Sequence, residues 1–255
     1  MKQVLKNVLA NIQYYLGKIG RRIVRIRQNK HPVLEVITDL LTREGAVIIQ
    51  IGAYVGDTEN DPIYKCLKNL NRIECKLLLI EPVKEYFEKL KCNYGKLEGV
   101  YFENSAISNY SGIGLFYRIN KNPEDFGFPE WLKQVGSLKK ERIGKMWMEY
   151  EKNTVYQKFL EDNTIIEKIN CLTFEDVCRK YSIDTVDLLQ IDAEGSENEI
   201  LSSVNFTNIK PKVINYECVL LGDAKKNLEE KLIFQGYQLI DYGQDTFAVL
   251  KDKLR

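Results

Sequence analysis

The strongest constraint on the fold is a series of short apolar, β-branched runs, each followed by a segment with helical spacing. Val47-Ile48-Ile49-Gln50-Ile51, Lys76 to Ile80, Val100 to Ile107, Val186 to Ile191 and Val213 to Tyr216 have the look of strands buried on both faces. Thr58 to Leu70 predicts a helix with Pro62 near its first turn, and Lys84 to Tyr94 an amphipathic helix carrying Tyr86, Phe87 and Leu90. Shorter helices are expected over Phe174 to Tyr181, Glu197 to Val204 and Leu228 to Phe234. Repeated units of this length require right-handed crossovers and a parallel sheet covered by helices on both faces. The end of the chain departs from that rhythm. Tyr237 to Ile240 and Thr246 to Leu250 are separated by Asp241-Tyr242-Gly243-Gln244-Asp245, too few residues for a crossover helix, so this pair must be antiparallel. A dinucleotide dehydrogenase would usually end on another parallel strand.

Composition narrows the chemistry. At 255 residues, 44% hydrophobic and 29% charged, the chain can bury a core. Its longest apolar runs, such as Leu77-Leu78-Leu79-Ile80, fall far short of the ~20 residues that cross a bilayer. No apolar stretch of a secretory signal follows the basic start, so none is expected. Six cysteines without Cys-x-x-Cys spacing argue against a structural zinc and for thiols in a reducing, cytoplasmic compartment. No metal ligand set is assigned from spacing. The single histidine, His31, directly precedes Pro32 as a linker residue, which excludes Ser-His-Asp, Cys-His and His-zinc chemistry.

Charge is divided unevenly. Residues 1–30 carry eight cations and no acid, so the totals of 37 basic and 36 acidic residues leave 29 and 36 for the rest, a net of −7. An acidic body is a poor match to phosphate backbones, and no nucleic-acid partner is expected.

Three motifs fall where open α/β sheets bind ligands, at the carboxyl ends of the strands. Gly52 and Gly56 follow the first strand, Gly52 as a sharp turn and Gly56 as a place where a ligand could approach a chain lacking Cβ. Alone they could be ordinary turn glycines. Glu81 ends the second strand, where a carboxylate can accept from both ribose hydroxyls of a nucleoside; by itself it could be a solvated acid. The fourth strand ends in Asp192-Ala193-Glu194-Gly195-Ser196-Glu197. Asp192 there could deprotonate a substrate or hold a metal, whereas Glu197 suits the first turn of a helix on dipole grounds alone.

The strings IGAYVGD at Ile51–Asp57, IEP at Ile80–Pro82, CLTF at Cys171–Phe174 and DLLQIDAEGSENEIL at Asp187–Leu201 resemble an FkbM-type methyltransferase, one of the class I S-adenosylmethionine-dependent enzymes. Asn215-Tyr216-Glu217 and Asp245-Thr246-Phe247-Ala248 also fit that family. The resemblance covers about residues 45–250, weakly over 119–166, and Tyr54 stands where a smaller polar residue is common. It implies a Rossmann-like α/β fold: a seven-stranded, mostly parallel sheet in the order 3-2-1-4-5-7-6, ending in an antiparallel hairpin. It also implies S-adenosyl-L-methionine as cofactor. Gly52, Ala53, Tyr54 and Gly56 would line its methionine portion, Glu81 would hold the ribose, Ser105 and Ala106 would flank the adenine, and Asp192 and Glu194 would lie near the transferred methyl as catalytic residues. The domain division expected is a basic amphipathic arm over 1–32 and a methyltransferase domain over 33–255.

Within that domain, residues 119–166 break the alternation and hold both tryptophans, Trp131 and Trp147. They are either a packed elaboration or a lid over the acceptor. The expected acceptor is a sugar hydroxyl in a glycan or glycolipid, by resemblance. The alternatives are a small lipid or secondary metabolite, a NAD(P)-dependent oxidoreductase on the same glycine turn, and a silent binding module. In the arm, Leu5, Val8, Ile12, Tyr15, Ile19, Ile23 and Ile26 recur at helical spacing opposite the cations. That pattern fits peripheral contact with the inner face of a membrane, docking on the domain, or a homodimer.

Overall fold

The computed structural model describes residues 32–68, 70–143 and 153–251. The basic arm, His31 and Trp147 lie outside these residues.

Seven strands form the main sheet: β1 (Val47–Ile51), β2 (Lys76–Ile80), β3 (Val100–Glu103), β8 (Leu188–Ile191), β9 (Val213–Glu217), β10 (Tyr237–Tyr242) and β11 (Asp245–Leu250). Their spatial order is β10-β11-β9-β8-β1-β2-β3. The five strands β3, β2, β1, β8 and β9 are parallel, and β11 is antiparallel to both of its neighbours. The order matches that expected of a class I methyltransferase.

Alternation along each strand divides the core. Ile48, Leu77, Leu79, Leu188, Val213 and Val249 face one side, against α1 (Pro32–Leu41), α2 (Pro62–Leu67) and α3 (Lys84–Tyr94). Ile49, Leu78, Ile80, Leu189, Ile191 and Ile214 face the other, against α5 (Phe174–Lys180), α6 (Glu197–Ser203) and α7 (Ala224–Phe234). Each such side chain, withdrawn fully from water, contributes about 1.5–3 kcal/mol. This two-sided burial is why the strands are written as unbroken apolar runs.

Three expectations need correction. The helix expected from Thr58 begins only at Pro62. Asp61 caps it, extended at ψ 121° and accepting from the Tyr64 N–H, because a residue before proline avoids helical geometry. The third strand does not run to Ile107. Asn104 donates from Nδ2 to the carbonyls of Glu81 and Pro82 and turns the chain, so Ala106–Ile107 (β4) enters a different sheet. The hairpin is tighter than expected, with Gly243-Gln244 as its two-residue turn and Gly243 at φ +79°.

The second sheet is absent from the sequence reading. It has the order β4-β7-β5-β6, with β5 (Gly112–Ile119), β6 (Gly136–Ser137) and β7 (Thr164–Leu172). The expected insertion therefore starts and ends inside two long antiparallel strands. Between them lie short 3-10 turns, β6 and α4 (Thr154–Asn163), packed around Ile119, Phe128, Leu132, Tyr156 and Phe159. The Phe128 and Tyr156 rings meet edge-on at 5.3 Å. The Tyr86 hydroxyl donates to the Lys133 carbonyl at 3.2 Å, Lys139 pairs with Glu199, and Arg142 donates to the Leu220 carbonyl. These bonds hold the segment over the carboxyl ends of β1 and β8. Among the described residues, no helix is long and apolar enough to cross a membrane.

Candidate active site

The sheet reverses direction of build between β1 and β8, and a crevice opens outside their carboxyl ends. Gly52 leaves β1 at φ +80°, and a Cβ there would sit 1.7 Å from the Asp192 carbonyl oxygen. Only glycine allows the two strand ends to pass this closely. The N–H groups of Gly52 and Ala53 both donate to the Ile80 carbonyl at 3.0 Å, which ties the turn to the end of β2.

Glu81 is buried just beyond β2. Its Oε2 accepts from the Tyr54 N–H at 2.9 Å and its Oε1 from the Val83 N–H at 2.8 Å. Burial pushes its carboxyl up to about 7, against the lowering effect of those two N–H groups and of Arg118. Each oxygen keeps acceptor capacity on the side facing the cavity. Tyr54 sits at φ +49°, its ring 4.5 Å from that of Tyr86 in an edge-to-face contact.

A cavity of about 760 Å³, including its mouth, is walled by Gly52, Tyr54, Glu81, Ser105, Ala106, Asp192 and Glu194 among others. Six of the eight expected cofactor residues therefore share one wall. Ala53 and Gly56 do not border it. Ala53 is packed in the core below. A Cβ on Gly56 would fall 2.4 Å from the Tyr94 ring and 2.5 Å from Leu90. Gly56 thus makes room for α3 rather than for a ligand. Ser105 and Ala106 follow the turn at Asn104 instead of ending a strand. Arg118, Phe116, Gln134, Val135 and Leu138, from β5 and the segment after it, also line the cavity and were not read from sequence.

A second cavity, about 1140 Å³ including its mouth, adjoins the first and shares Gln134, Asp192 and Glu194 with it. Its wall adds Asn60, Trp131, Gln190, Glu217, Gln244 and Asp245. Gln190, on its wall, is the middle of a polar row in register across three strands, Gln50 on β1, Gln190 on β8 and Asn215 on β9. Asn215 donates from Nδ2 to Gln190 and to Asp245, both at 3.0 Å, and Gln50 donates to Asp61 at 2.6 Å.

Carboxylates converge where the cavities meet. The chain leaves β8 through two consecutive left-handed residues, Glu194 at φ +50° and Gly195 at φ +90°. That reversal carries Glu197 back beneath the strand end, where its Oε1 accepts from the Ala193 N–H at 2.7 Å. Glu197 opens α6 as expected, and it is 0% exposed, so it is a buried acid as well as a partner of the helix dipole. Glu217, at the end of β9, joins it; one carboxylate oxygen each from Asp192, Glu197 and Glu217 lie within 4.8 Å of one another. Asp192 sits deep among other atoms yet keeps an opening to solvent. Burial, then Asp245 and Asp61, raise its carboxyl. Burial and neighbouring acids likewise raise Glu194 and Glu217, and Glu197 is pushed up to about 8, mainly by burial. Glu217 entered the sequence reading only as part of a resembling string. The signal available was its position, one strand over from Asp192 and at the same sheet edge.

Residues 50–239 match the family described as "Methyltransferase FkbM domain". No curated protein matches the chain significantly. Among solved structures, similar chains include precorrin-6y C5,15-methyltransferase from Geobacter metallireducens GS-15 (14% identity, 89% of this chain and 90% of that one, TM-score 0.38). Another is the pre-rRNA processing protein fibrillarin of Methanococcus jannaschii (11% identity, 90% and 84% coverage, TM-score 0.39).

The residues present fit S-adenosylmethionine. Glu81 offers two acceptors to a vicinal diol. The Ser105 hydroxyl is buried without a partner and faces a wall whose Ala106, Ile107, Val83 and Phe116 suit a flat base. Asp192 and Glu194 line the same cavity as the acids available to a sulfonium. The chain belongs to the FkbM methyltransferase family, with a Rossmann-like class I fold and S-adenosylmethionine as its cofactor.

Proposed function

We propose that the enzyme O-methylates a hydroxyl of a sugar in a glycan or glycolipid. The observation that carries this reading is the second cavity, which meets the cofactor cavity at Asp192 and Glu194. Among the described residues its wall presents four amide side chains (Asn60, Gln134, Gln190, Gln244), four carboxyls and the indole of Trp131, and no lysine or arginine. Amides and carboxyls exchange hydrogen bonds with a polyhydroxylated ring, and an indole face covers its apolar side. Four carboxyls on that wall would repel a phosphorylated acceptor, nucleic acid included. The polar lining disfavours a lipid chain.

The bound cofactor supplies an electrophilic methyl group on a sulfonium. The chain's contribution is to align the acceptor oxygen for in-line attack and to take up its proton. Glu81 and the turn from Gly52 to Tyr54 would hold S-adenosylmethionine while that methyl passes to the acceptor oxygen, leaving a neutral thioether whose sulfur keeps the electron pair. The hydroxyl proton passes to the Asp192–Glu194 pair, whose raised affinity for protons suits that role. The segment between β5 and β7 supplies Trp131 and Gln134 to the wall of the second cavity.

The test is methyl transfer from labelled cofactor into host glycan and lipid extracts, followed by identification of the product. Label on a sugar oxygen supports the reading; label confined to an acyl chain, a nitrogen or a nucleic acid overturns it. The basic amphipathic pattern of residues 1–30 supports, on sequence grounds, delivery of the enzyme to an anionic membrane surface carrying lipid-linked glycans. Flotation with anionic vesicles should retain the full chain and not a chain beginning at Val33.

A further inference from the structure

We propose that Asp192, Glu197 and Glu217 bind one divalent cation with all-oxygen preference, Mg²⁺ or Mn²⁺, at the junction of the two cavities. One oxygen from each carboxyl lies within 4.8 Å of the other two. Two opposed metal–oxygen bonds of about 2.1–2.4 Å would span about 4.2–4.8 Å, so three such oxygens can close on a single ion.

Crowded acids alone would not make a site. The independent observation is the bonding of Glu197. Its side chain is wholly buried, the backbone amides of Ala193, Gly195 and Glu197 itself face the carboxyl with the Ala193 N–H bonded to Oε1, and Oε2 has no hydrogen-bond partner. Glu217 Oε2 is likewise buried and unpartnered. A buried carboxylate oxygen without a donor is costly, and a cation at the cluster would satisfy both orphans at once. Among the described residues no lysine or arginine forms an ion pair with Asp192, Glu194, Glu197 or Glu217, although Lys139 and Arg142 pass nearby to pair elsewhere. The three donors also differ in rigidity. Glu197 is fixed beneath the strand end, Glu217 ends a core strand, and Asp192 opens to both cavities. The ion would therefore keep open positions on the cavity side.

The catalytic consequence, which rests on the proposed hydroxyl acceptor, follows directly. An acceptor oxygen entering an open position would be acidified by the cation, and its proton would pass to Glu194, the one carboxyl of the group left outside the ligand set.

The test uses the full chain, stripped with a chelator and titrated with Mn²⁺, Mg²⁺ and Ca²⁺ by calorimetry, with Mn²⁺ binding also read by electron paramagnetic resonance. One Mn²⁺ per chain is expected. Glu197→Gln, whose amide oxygen can still accept from Ala193, should weaken binding about ten-fold or more, as should Glu217→Gln. Glu88→Gln, on an exposed pair with Lys91, should leave it unchanged. If one variant fails to fold, the other variant and the unsubstituted chain still decide. The proposal is overturned if no cation binds at millimolar concentration while S-adenosylhomocysteine does, or if both variants bind Mn²⁺ as tightly as the parent. Cation binding accompanied by transfer to an acceptor other than a sugar would support the site and overturn only the acceptor assignment.

Discussion

Strand β8 carries an aspartate at each end, and the two have opposite fates. Asp187, just before the strand, is buried with Arg43 and Lys212 each at 2.6 Å and the Val47 N–H at 2.9 Å. Burial pushes its carboxyl up, but Lys212, the Val47 N–H and Arg43 outweigh it and hold it below the usual carboxylate range. Asp192, just after the strand, is exposed toward the cavities and, among the described residues, has no cation beside it; the atoms packed around it, then Asp245 and Asp61, raise its carboxyl. The same residue type on the same four-residue strand thus serves as a fully compensated anchor at one end and as an uncompensated charge at the other. The lesson is that the sheet confines its electrostatic conflict to the edge where ligands enter.

Four experiments could break or sharpen this contrast. The largest effect is expected from Asp192→Asn, which should lower turnover about 10²–10⁴-fold while S-adenosylhomocysteine binding, measured by calorimetry, stays within a few fold. Its melting temperature should hold or rise. A drop would mean that Asp192 anchors the fold as Asp187 does. Asp187→Ala should lose about 3–5 kcal/mol in urea unfolding, because two half-buried cations lose their partner. Cofactor affinity of the folded protein should be unchanged, since Asp187 lies at the opposite edge. Glu81→Gln, which keeps one acceptor and loses the charge, should weaken cofactor binding about ten-fold or somewhat more.

The smallest effect is in the pH dependence of stability, where the two ends act in opposite directions. Glu197, raised to about 8 in the fold, contributes stability that is complete below its ordinary range and lost as pH rises through 8. Asp187, held low, contributes stability that is present above its ordinary range and lost as pH falls into strong acid. Chelator-treated protein should therefore melt lower at pH 8.5 than at pH 5.5, and Glu197→Gln should flatten that slope. A melting temperature that rises steadily with pH up to 8.5 would contradict the uncompensated edge.

Legibility in the sequence followed burial. β1, β2, β8 and β9 are covered on both faces, so each is written as an apolar run with little ambiguity. β5 and β7 are covered on one face only and leave Ile113, Leu115 and Ile166 more than two-fifths exposed, while Arg118 turns inward to meet Glu167. Hydrophobic alternation is scrambled by both choices, so the sequence pattern announces no second sheet. The site behaved similarly. Glu81 and Asp192 were legible because a strand end locates a side chain without further knowledge. Glu197 does open a helix as its position implies, but no periodicity announces that a left-handed pair at Glu194 and Gly195 folds that turn back under the strand. Gly56 was right as a glycine and wrong as to its neighbour, which is α3.

The two cavities draw on largely separate stretches of chain. The cofactor wall comes mainly from residues 51–118 and the wall proposed for the acceptor from Asn60, Trp131, Gln190, Glu217 and the turn of the final hairpin, with Gln134, Asp192 and Glu194 in common. Substrate preference can therefore drift in descendants of this chain through changes at a two-residue turn and one loop, without renegotiating the donor of the methyl group. Inheritance of the reaction and inheritance of its target are, in this architecture, nearly independent.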